Sequence, residues 1–307
     1  MKIMECVPNF SEGRNGMFLD EMVRLLSDVG GVRVLDAGMD PDHNRSVITF
    51  IGTCDSILTG ADRLCDRAVE LIDMRTHEGV HPRMGAVDVV PFIPLAGAGM
   101  EDAVAAAHTF GRGFARRNRI PVYFYGAAAL HPRKKELPDV RRCRYEGLEE
   151  RLKDEQWKPD AGPVRYKPRS GATAVGARKP LIAFNVNLNC DNVVAARQIA
   201  RDIRESYGGL PCVRAIGIEL TSRGIVQVSM NLIDYEVTPP VVVFDHIREQ
   251  AAQWGIEVLE SELIGLAPQK AFEGVSADYL KLVNFGPERI LENYLSFSPK
   301  SFDSKEK

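Results

Sequence analysis

None of the six cysteines, at positions 6, 54, 65, 143, 190 and 212, pairs into a CxxC arrangement, and no run of about 18 apolar residues is present to cross a membrane. The first ten residues, MKIMECVPNF, lack the apolar core of a secretory leader. The cysteines therefore read as reduced and mostly structural, and the cytoplasm is the expected location. Missing too are a GxGxxG after a suitable strand, a Walker A loop, a GxSxG elbow and the HExxH order of zinc hydrolases. A net charge of −3 supplies no global basic field, so neither nucleic acid nor a membrane is an expected partner.

What is present is ordinary in bulk and uneven in detail. The 307 residues suggest about two domains, with 45% hydrophobic and 26% charged residues. Cationic side chains gather in residues 131–153, with His131, Arg133, Lys134, Lys135, Arg141, Arg142, Arg144, Arg151 and Lys153, and again in 165–179. They make either a solvated surface or a funnel for an anionic ligand.

Hydrophobic periodicity organises the chain into two copies of one order. A strand at 2–8, a helix at 15–28, strands at 32–37 and 45–52, a helix at 55–72 and a strand at 86–95 give β-α-β-β-α-β. The second helix carries the clearest stripe, Ile57, Ala61, Leu64, Cys65, Ala68 and Ile72. A further helix at 100–117 and a strand at 121–126 follow, then an irregular stretch over 131–180. The order repeats with strands at 181–188, 213–220, 225–235 and 256–264 and helices at 192–206 and 240–254. The expected fold is α+β, two ferredoxin-like (βαββαβ) subdomains over 1–179 and 180–307, each a sheet with helices on one face and the other face open. In the second copy, Asn185, Asn187 and Asn189 alternate with Phe184, Val186 and Leu188, while Gln227, Ser229 and Asn231 alternate with Val228, Met230 and Leu232. Period two puts the amides on one surface. Asn is depleted in strands, so that surface is either solvated or turned to a ligand.

Three polar segments carry potential chemistry. The loop THEGVHPRMG holds His77 and His81 between the strongest helix and a core strand. A metal pair at this spacing needs a helix, and Gly79 and Pro82 argue against one, so no metal is expected. His81-Pro82-Arg83 suits acid–base work, because an imidazole exchanges protons near neutrality and a guanidinium holds a carboxylate through paired hydrogen bonds. The turn DAGMDPDHNR collects Asp36, Asp40, Asp42, His43, Asn44 and Arg45. PNFSEGR, 8–14, leads from strand to helix, where backbone N–H groups suit an anion. Composition and pattern alone stop at a two-layered α+β protein, an enzyme candidate with a loop histidine and an anionic substrate.

Longer motifs extend the reading. ECVPNFSEG at 5–13, HNRSVITFIG at 43–52, HEGVHPRMGAVDVVPFIPL at 77–95, PVYFYG at 121–126, GATAVGARKPLIAFNVNL at 171–188 and QVSMNLIDYE at 227–236 together resemble the formiminotransferase domain family, collinearly to about residue 270. The resemblance implies a homodimer, a ligand cleft between the two subdomains, and transfer of the formimino group of N-formimino-L-glutamate to N5 of tetrahydrofolate as co-substrate. It places the catalytic histidine on His81. It places folate binding on Gly162, Pro163, Val164, Arg165, Tyr166, Lys167, Pro168, Arg169, Ser170 and Gly171, with Arg165, Lys167 and Arg169 as partners for the folate carboxylates. Asp36, Asn44, Arg45, Arg83, Asn185 and Asn187 are the expected substrate-binding set: Arg45 and Arg83 for carboxylates, Asn185 and Asn187 for the pterin or the amidine. Where the family carries a second acid two places after Asp36, this chain has Gly38, which leaves Asp40 or Asp42 as alternatives. No cyclodeaminase segment is recognisable, so a separate cyclodeaminase protein is expected downstream. Rival readings are a related transferase using formiminoglycine or a formyl donor, and a non-catalytic folate-binding protein.

Overall fold

The structure, a computed structural model, describes residues 1–41, 43–79, 82–220, 223–283 and 285–295. Among the described residues, 1–178 form one compact unit and 179–295 a second.

The first unit runs β1 (Ile3–Cys6), β2 (Asn9–Phe10), α1 (Gly16–Ser27), β3 (Val32–Asp40), β4 (Arg45–Thr53), α2 (Cys54–Leu71), β5 (Val87–Pro94), α3 (Met100–Asn118), β6 (Val122–Gly126), α4 (Leu137–Arg141), α5 (Leu148–Arg151) and β7 (Thr173–Ala177). Local chemistry sets the helix starts. The Asn15 side chain accepts from the Met17 N–H, and Thr53 accepts from the Ser56 N–H, each satisfying an otherwise orphaned donor. β1 lies between β4 and β5 and is antiparallel to both, β3 pairs with the far side of β4, and β5, β7 and β6 continue the sheet in parallel. The strand expected at 2–8 divides into β1 and β2 around Val7-Pro8, where proline offers no N–H to a ladder.

Helices α1 to α3 bury Met22, Leu26, Ile57, Leu64, Phe110 and Phe114 against Phe10, Phe50 and Phe92 of the sheet. Each such side chain contributes about 1.5–3 kcal/mol on removal from water. The stretch expected to be irregular contributes structure of its own. Val140 of α4, with Leu148 and Leu152, packs with Val89, Tyr123 and Ala174 in a separate apolar cluster, and β7 is a fully buried central strand. Helices of five and four residues are too short to display a period, and a strand buried on both faces does not alternate.

The second unit runs β8 (Ile182–Leu188), α6 (Val193–Ile203), β9 (Val213–Leu220), β10 (Ile225–Leu232), α7 (Pro240–Gln253), β11 (Val258–Ile264) and β12 (Leu282–Val283). Its sheet order is β12-β11-β8-β10-β9. The first and third strands of the repeat, β8 and β10, are neighbours, with Asn187 opposite Gln227 and Asn185 opposite Ser229. Phe184, Val186, Leu188, Val226 and Val228 face α6 and α7 in the core. β12, parallel to β11, was not anticipated from the pattern, because two residues carry no period.

Candidate functional site

The three polar segments converge in the first unit. Ser11 Oγ donates to the Gly85 carbonyl at 2.8 Å and its N–H to that of Ala86 at 3.0 Å. Asn44 sits at φ +47°, a conformation Asn tolerates. It accepts from the Gly13 N–H at 2.9 Å and donates to the Glu78 carbonyl at 2.9 Å, linking all three segments. Backbones touch here only because side chains are missing: a Cβ on Gly13 would lie 2.2 Å from the Arg45 nitrogen, and one on Gly79 would lie 2.4 Å from the His43 oxygen. His81 and Asp42 lie outside the described residues. The residues flanking His81 are firmly tied.

On one side, the Arg83 Nε–H donates to His77 Nδ1 at 3.1 Å, so Nδ1 carries no proton and Nε2–H donates to the Asn44 carbonyl at 2.8 Å. Burial, reinforced by the Arg83 charge, holds His77 below the usual histidine range. A depressed histidine pKa stabilises the fold above its unfolded value of about 6.5, and that contribution is lost as pH falls through the folded value. Amides of residues 74–79 are therefore expected to exchange faster at pH 5.5 than their intrinsic rates predict from pH 7.5, measured by hydrogen exchange. Equal protection factors at both pH values, or the same loss in His77→Gln, would refute the assignment.

Arg83, expected to clamp a substrate carboxylate, is already engaged. Its Nη1 lies 2.6 Å from Glu146, its Nη2 donates to the His77 carbonyl, and its guanidinium stands 5.9 Å from the Tyr145 ring centre. Asp36 lies mid-strand opposite Thr49, half-buried, with no side-chain hydrogen bond among the described residues. Asp40 accepts from the His43 N–H within its own turn.

Arg45 projects into a buried charge cluster. Its Nη1 reaches Asp88 at 2.8 Å, and its Nε and Nη2 reach Asn9 Oδ1 at 3.0 and 2.6 Å. Arg141 binds the same Asp88 oxygen at 2.7 Å and also donates to the Pro82 carbonyl. The other Asp88 oxygen accepts the Met84 N–H at 2.9 Å. Asp88 thus holds Met84 directly and Pro82 through Arg141, the two neighbours of Arg83. Burial raises its pKa, but Arg141 and Arg45 more than offset that and hold it below the usual carboxylate range. Burial and the neighbouring Arg141 bring Arg45 down to about 10 despite Asp88, still charged at neutrality. Glu5 lies in the same sheet, and burial raises it to about 7 against the pull of Arg178.

The segment Gly162–Gly171 is strapped to the same loop. The Arg169 carbonyl accepts the Met74 N–H and the Ser170 carbonyl the Ala86 N–H, both at 2.9 Å. Tyr166 stands against Tyr145 at 5.9 Å, and the Tyr145 hydroxyl donates to Pro168. Of the three expected carboxylate partners, Lys167 donates to Asn118 at the end of α3 and Arg169 to Glu70 at the end of α2, favourable placements for cations at helix C-termini. Arg165 and Val164 are exposed, Pro163 is half-buried, and Gly162 turns the chain at φ +84°.

In the second unit Asn187 is fully buried. Its Oδ1 accepts from Gln227 at 2.8 Å, and its Nδ2 donates to Glu260 and Glu262, each at 2.9 Å. Asn185, two residues earlier on the same face, is 8% exposed.

Asp88, Glu5, Glu260 and Glu262 were not singled out from sequence. A carboxylate inside the apolar strands GAVDVVPFIP and IMEC was the available signal, since such groups are almost never buried unpaired.

A family model described as "Formiminotransferase domain, N-terminal subdomain" matches residues 3–178, and one described as "Formiminotransferase domain" matches residues 183–285. The glutamate formimidoyltransferase of Streptococcus pyogenes serotype M1 is 43% identical over 295 residues, 96% of this chain and 99% of the relative. That of Thermoplasma acidophilum is 42% identical over 294 residues, 95% and 97% respectively. The formimidoyltransferase-cyclodeaminase of Mus musculus is 42% identical over 319 residues, all of this chain and 59% of the relative.

Proposed function

The chain belongs to the formiminotransferase family, and on that premise we propose that it is a glutamate formimidoyltransferase, moving the formimino group of N-formimino-L-glutamate to N5 of tetrahydrofolate. The observation that carries this reading is the near full-length likeness to stand-alone relatives of that name, across both subdomains. No described helix is long and apolar enough to cross a membrane.

In the reaction, N5 attacks the formimino carbon and a tetrahedral adduct forms. One proton leaves N5 and another reaches the departing glutamate nitrogen before the C–N bond breaks. His81 is the group we assign to both transfers in turn. Arg45 is the cation we assign to a substrate carboxylate; Asp88 and Asn9 hold its three guanidinium nitrogens, so the substrate has to displace one of those contacts. Residues 162–171 are the proposed folate segment, with exposed Arg165 the cation best placed for its anionic tail. The homodimer and the cytoplasmic setting belong to the same proposal.

A steady-state assay with tetrahydrofolate tests the reading. N-formimino-L-glutamate is expected to give 5-formimino-tetrahydrofolate at least tenfold more efficiently, as kcat/KM, than formiminoglycine or a formyl donor. Equal or better turnover of formiminoglycine would move the chain to the rival transferase. Folate binding without turnover of any donor would make it a binding protein.

A further inference from the structure

The Tyr123 hydroxyl and the Arg151 Nε–H are buried atoms with no hydrogen-bond partner among the described residues. The fold brings them together. Tyr123 stands on β6, 1% exposed, and packs with Leu148 and Leu152, which bracket Arg151 at the end of α5. Cys143, between α4 and α5, leans on the same cluster. The polar groups acting on the Tyr123 phenol are those of Cys143, Arg151 and Asp160.

These groups are donors with no acceptor of their own. Burial is the largest influence on the Tyr123 phenol and the Cys143 thiol and holds both above their usual ranges, so both keep their protons. A guanidinium is permanently charged. Arg151 Nη2 donates to the Asp139 carbonyl at 2.8 Å, and its guanidinium stacks 3.4 Å from the Trp157 ring centre, but no carboxylate pairs with it among the described residues. Asp160 does not serve. Its Oδ1 takes Lys134 Nζ and its Oδ2 takes the Phe124 N–H, both at 2.8 Å, and the buried Lys134–Asp160 pair has no net charge. A half-buried cation without a counter-charge, beside an orphaned hydroxyl, calls for an acceptor that carries negative charge. A water would accept from both donors, but it brings two hydrogens of its own and no charge.

We propose that one monovalent anion of chloride size binds between Tyr123 and Arg151, accepting the phenol O–H and the Nε–H with the Cys143 thiol beside them. The apolar walls supplied by Leu148 and Leu152 favour a small, weakly hydrated sphere over a sulfate or phosphate, which has several oxygens to satisfy. Arg151 also lines a shallow surface cavity with Gly147, Glu150, Lys153 and Asp154, an approach for the ion from solvent. The consequence reaches the loop of the candidate site. The Arg151–Asp139 bond ties the end of α5 to α4, and this segment supplies Arg141 to Pro82 and Asp88, and Glu146 to Arg83. The anion is a structural effector of the loop's flank and takes no part in the transfer reaction.

Two measurements on the full chain test this. Crystals grown in sodium bromide are expected to give an anomalous peak in contact with both Tyr123 Oη and Arg151 Nε. Thermal melts in sodium chloride and in sodium gluconate at equal ionic strength are expected to differ, with Tm about 2–4 °C higher in chloride. The Arg83 and Met84 amides should exchange more slowly in chloride as well. Arg151→Met keeps an aliphatic contact over Trp157, and Tyr123→Phe removes a single oxygen, so the second is the variant least disposed to unfold. Each should abolish most of the chloride-dependent shift. No bromide peak, or density there that refines as water, overturns the proposal. A peak with melts that do not distinguish chloride from gluconate means binding at crystal concentration only, and overturns it too. A chloride shift undiminished in Tyr123→Phe places the ion elsewhere and removes these residues from its binding.

Discussion

Replacing Asp88 with alanine should destabilise the protein by about 3–5 kcal/mol, read from the urea midpoint, because it removes the buried carboxylate that two guanidiniums share. The side chain of Asp88 is fully buried, and those of Arg45 and Arg141 are 13% and 14% exposed. With the carboxylate gone, Arg45 and Arg141 repel each other, and the Met84 N–H loses its acceptor. Asp88→Asn separates the two effects. The amide oxygen can keep the Met84 contact, but it cannot neutralise either arginine. That variant is expected to fold, with weakened Arg141 contact to Pro82 and therefore a looser loop beside His81. Its kcat should fall more than its folate affinity. The pH dependence has a definite sign. A depressed carboxylate pKa stabilises the fold above the unfolded value of about 3.9, and the contribution disappears as pH falls through the folded value. Acid unfolding of the parent should therefore steepen below pH 4, and Asp88→Asn should flatten that limb. A midpoint for Asp88→Ala within 1 kcal/mol of the parent would mean that the two arginines find water or other partners and that the cluster is not structural.

The second large effect concerns turnover. His81→Ala is expected to lower kcat by roughly 100- to 10,000-fold, the usual scale of general acid–base help, while folate affinity stays within about twofold. The loop's flanks are held by backbone bonds and by Asp88, Asn44 and Ser11, so removing the imidazole should leave its frame intact. Partial rescue by added imidazole would tie the loss to proton transfer. A folded variant with parental kcat would remove His81 from the chemistry.

The parts of the fold legible in the sequence are those with a period. The stripe on α2, the alternation in β8 and β10 and the two copies of the strand–helix order all follow from side chains choosing between core and solvent. β7 and the short helices α4 and α5 stayed hidden because Thr173–Ala177 is buried on both faces and the helices have little more than a turn each. At the site, the loop around His81 and the turn before Arg45 could be picked out by composition, and their convergence could not. It rests on Asn44 in a left-handed conformation and on two glycines that let backbones touch. The use made of each cation was also invisible. Arg83, Lys167 and Arg169 each hold a carboxylate or carbonyl of the same chain, partners that composition does not announce. Asp88 defines which arginines work together, and it comes from a strand that sequence pattern marks only as core.

The straps around the loop also set an order of events for the growing chain. The Ser11 hydroxyl meets the carbonyl of Gly85 across 74 positions, and Thr173 meets that of Val87 across 86. Contacts so distant form only after the entropy of closing long loops has been overcome. During synthesis, α1 to α3 can collapse onto β1, β4 and β5 while the Met74–Ala86 stretch still lacks the carbonyls of Arg169 and Ser170. The frame of the loop is completed only once β7 has emerged and inserted between β5 and β6. A ribosome paused before residue 170 would display a collapsed but unfinished first unit, and a ligand that depends on this loop would discriminate between the two states.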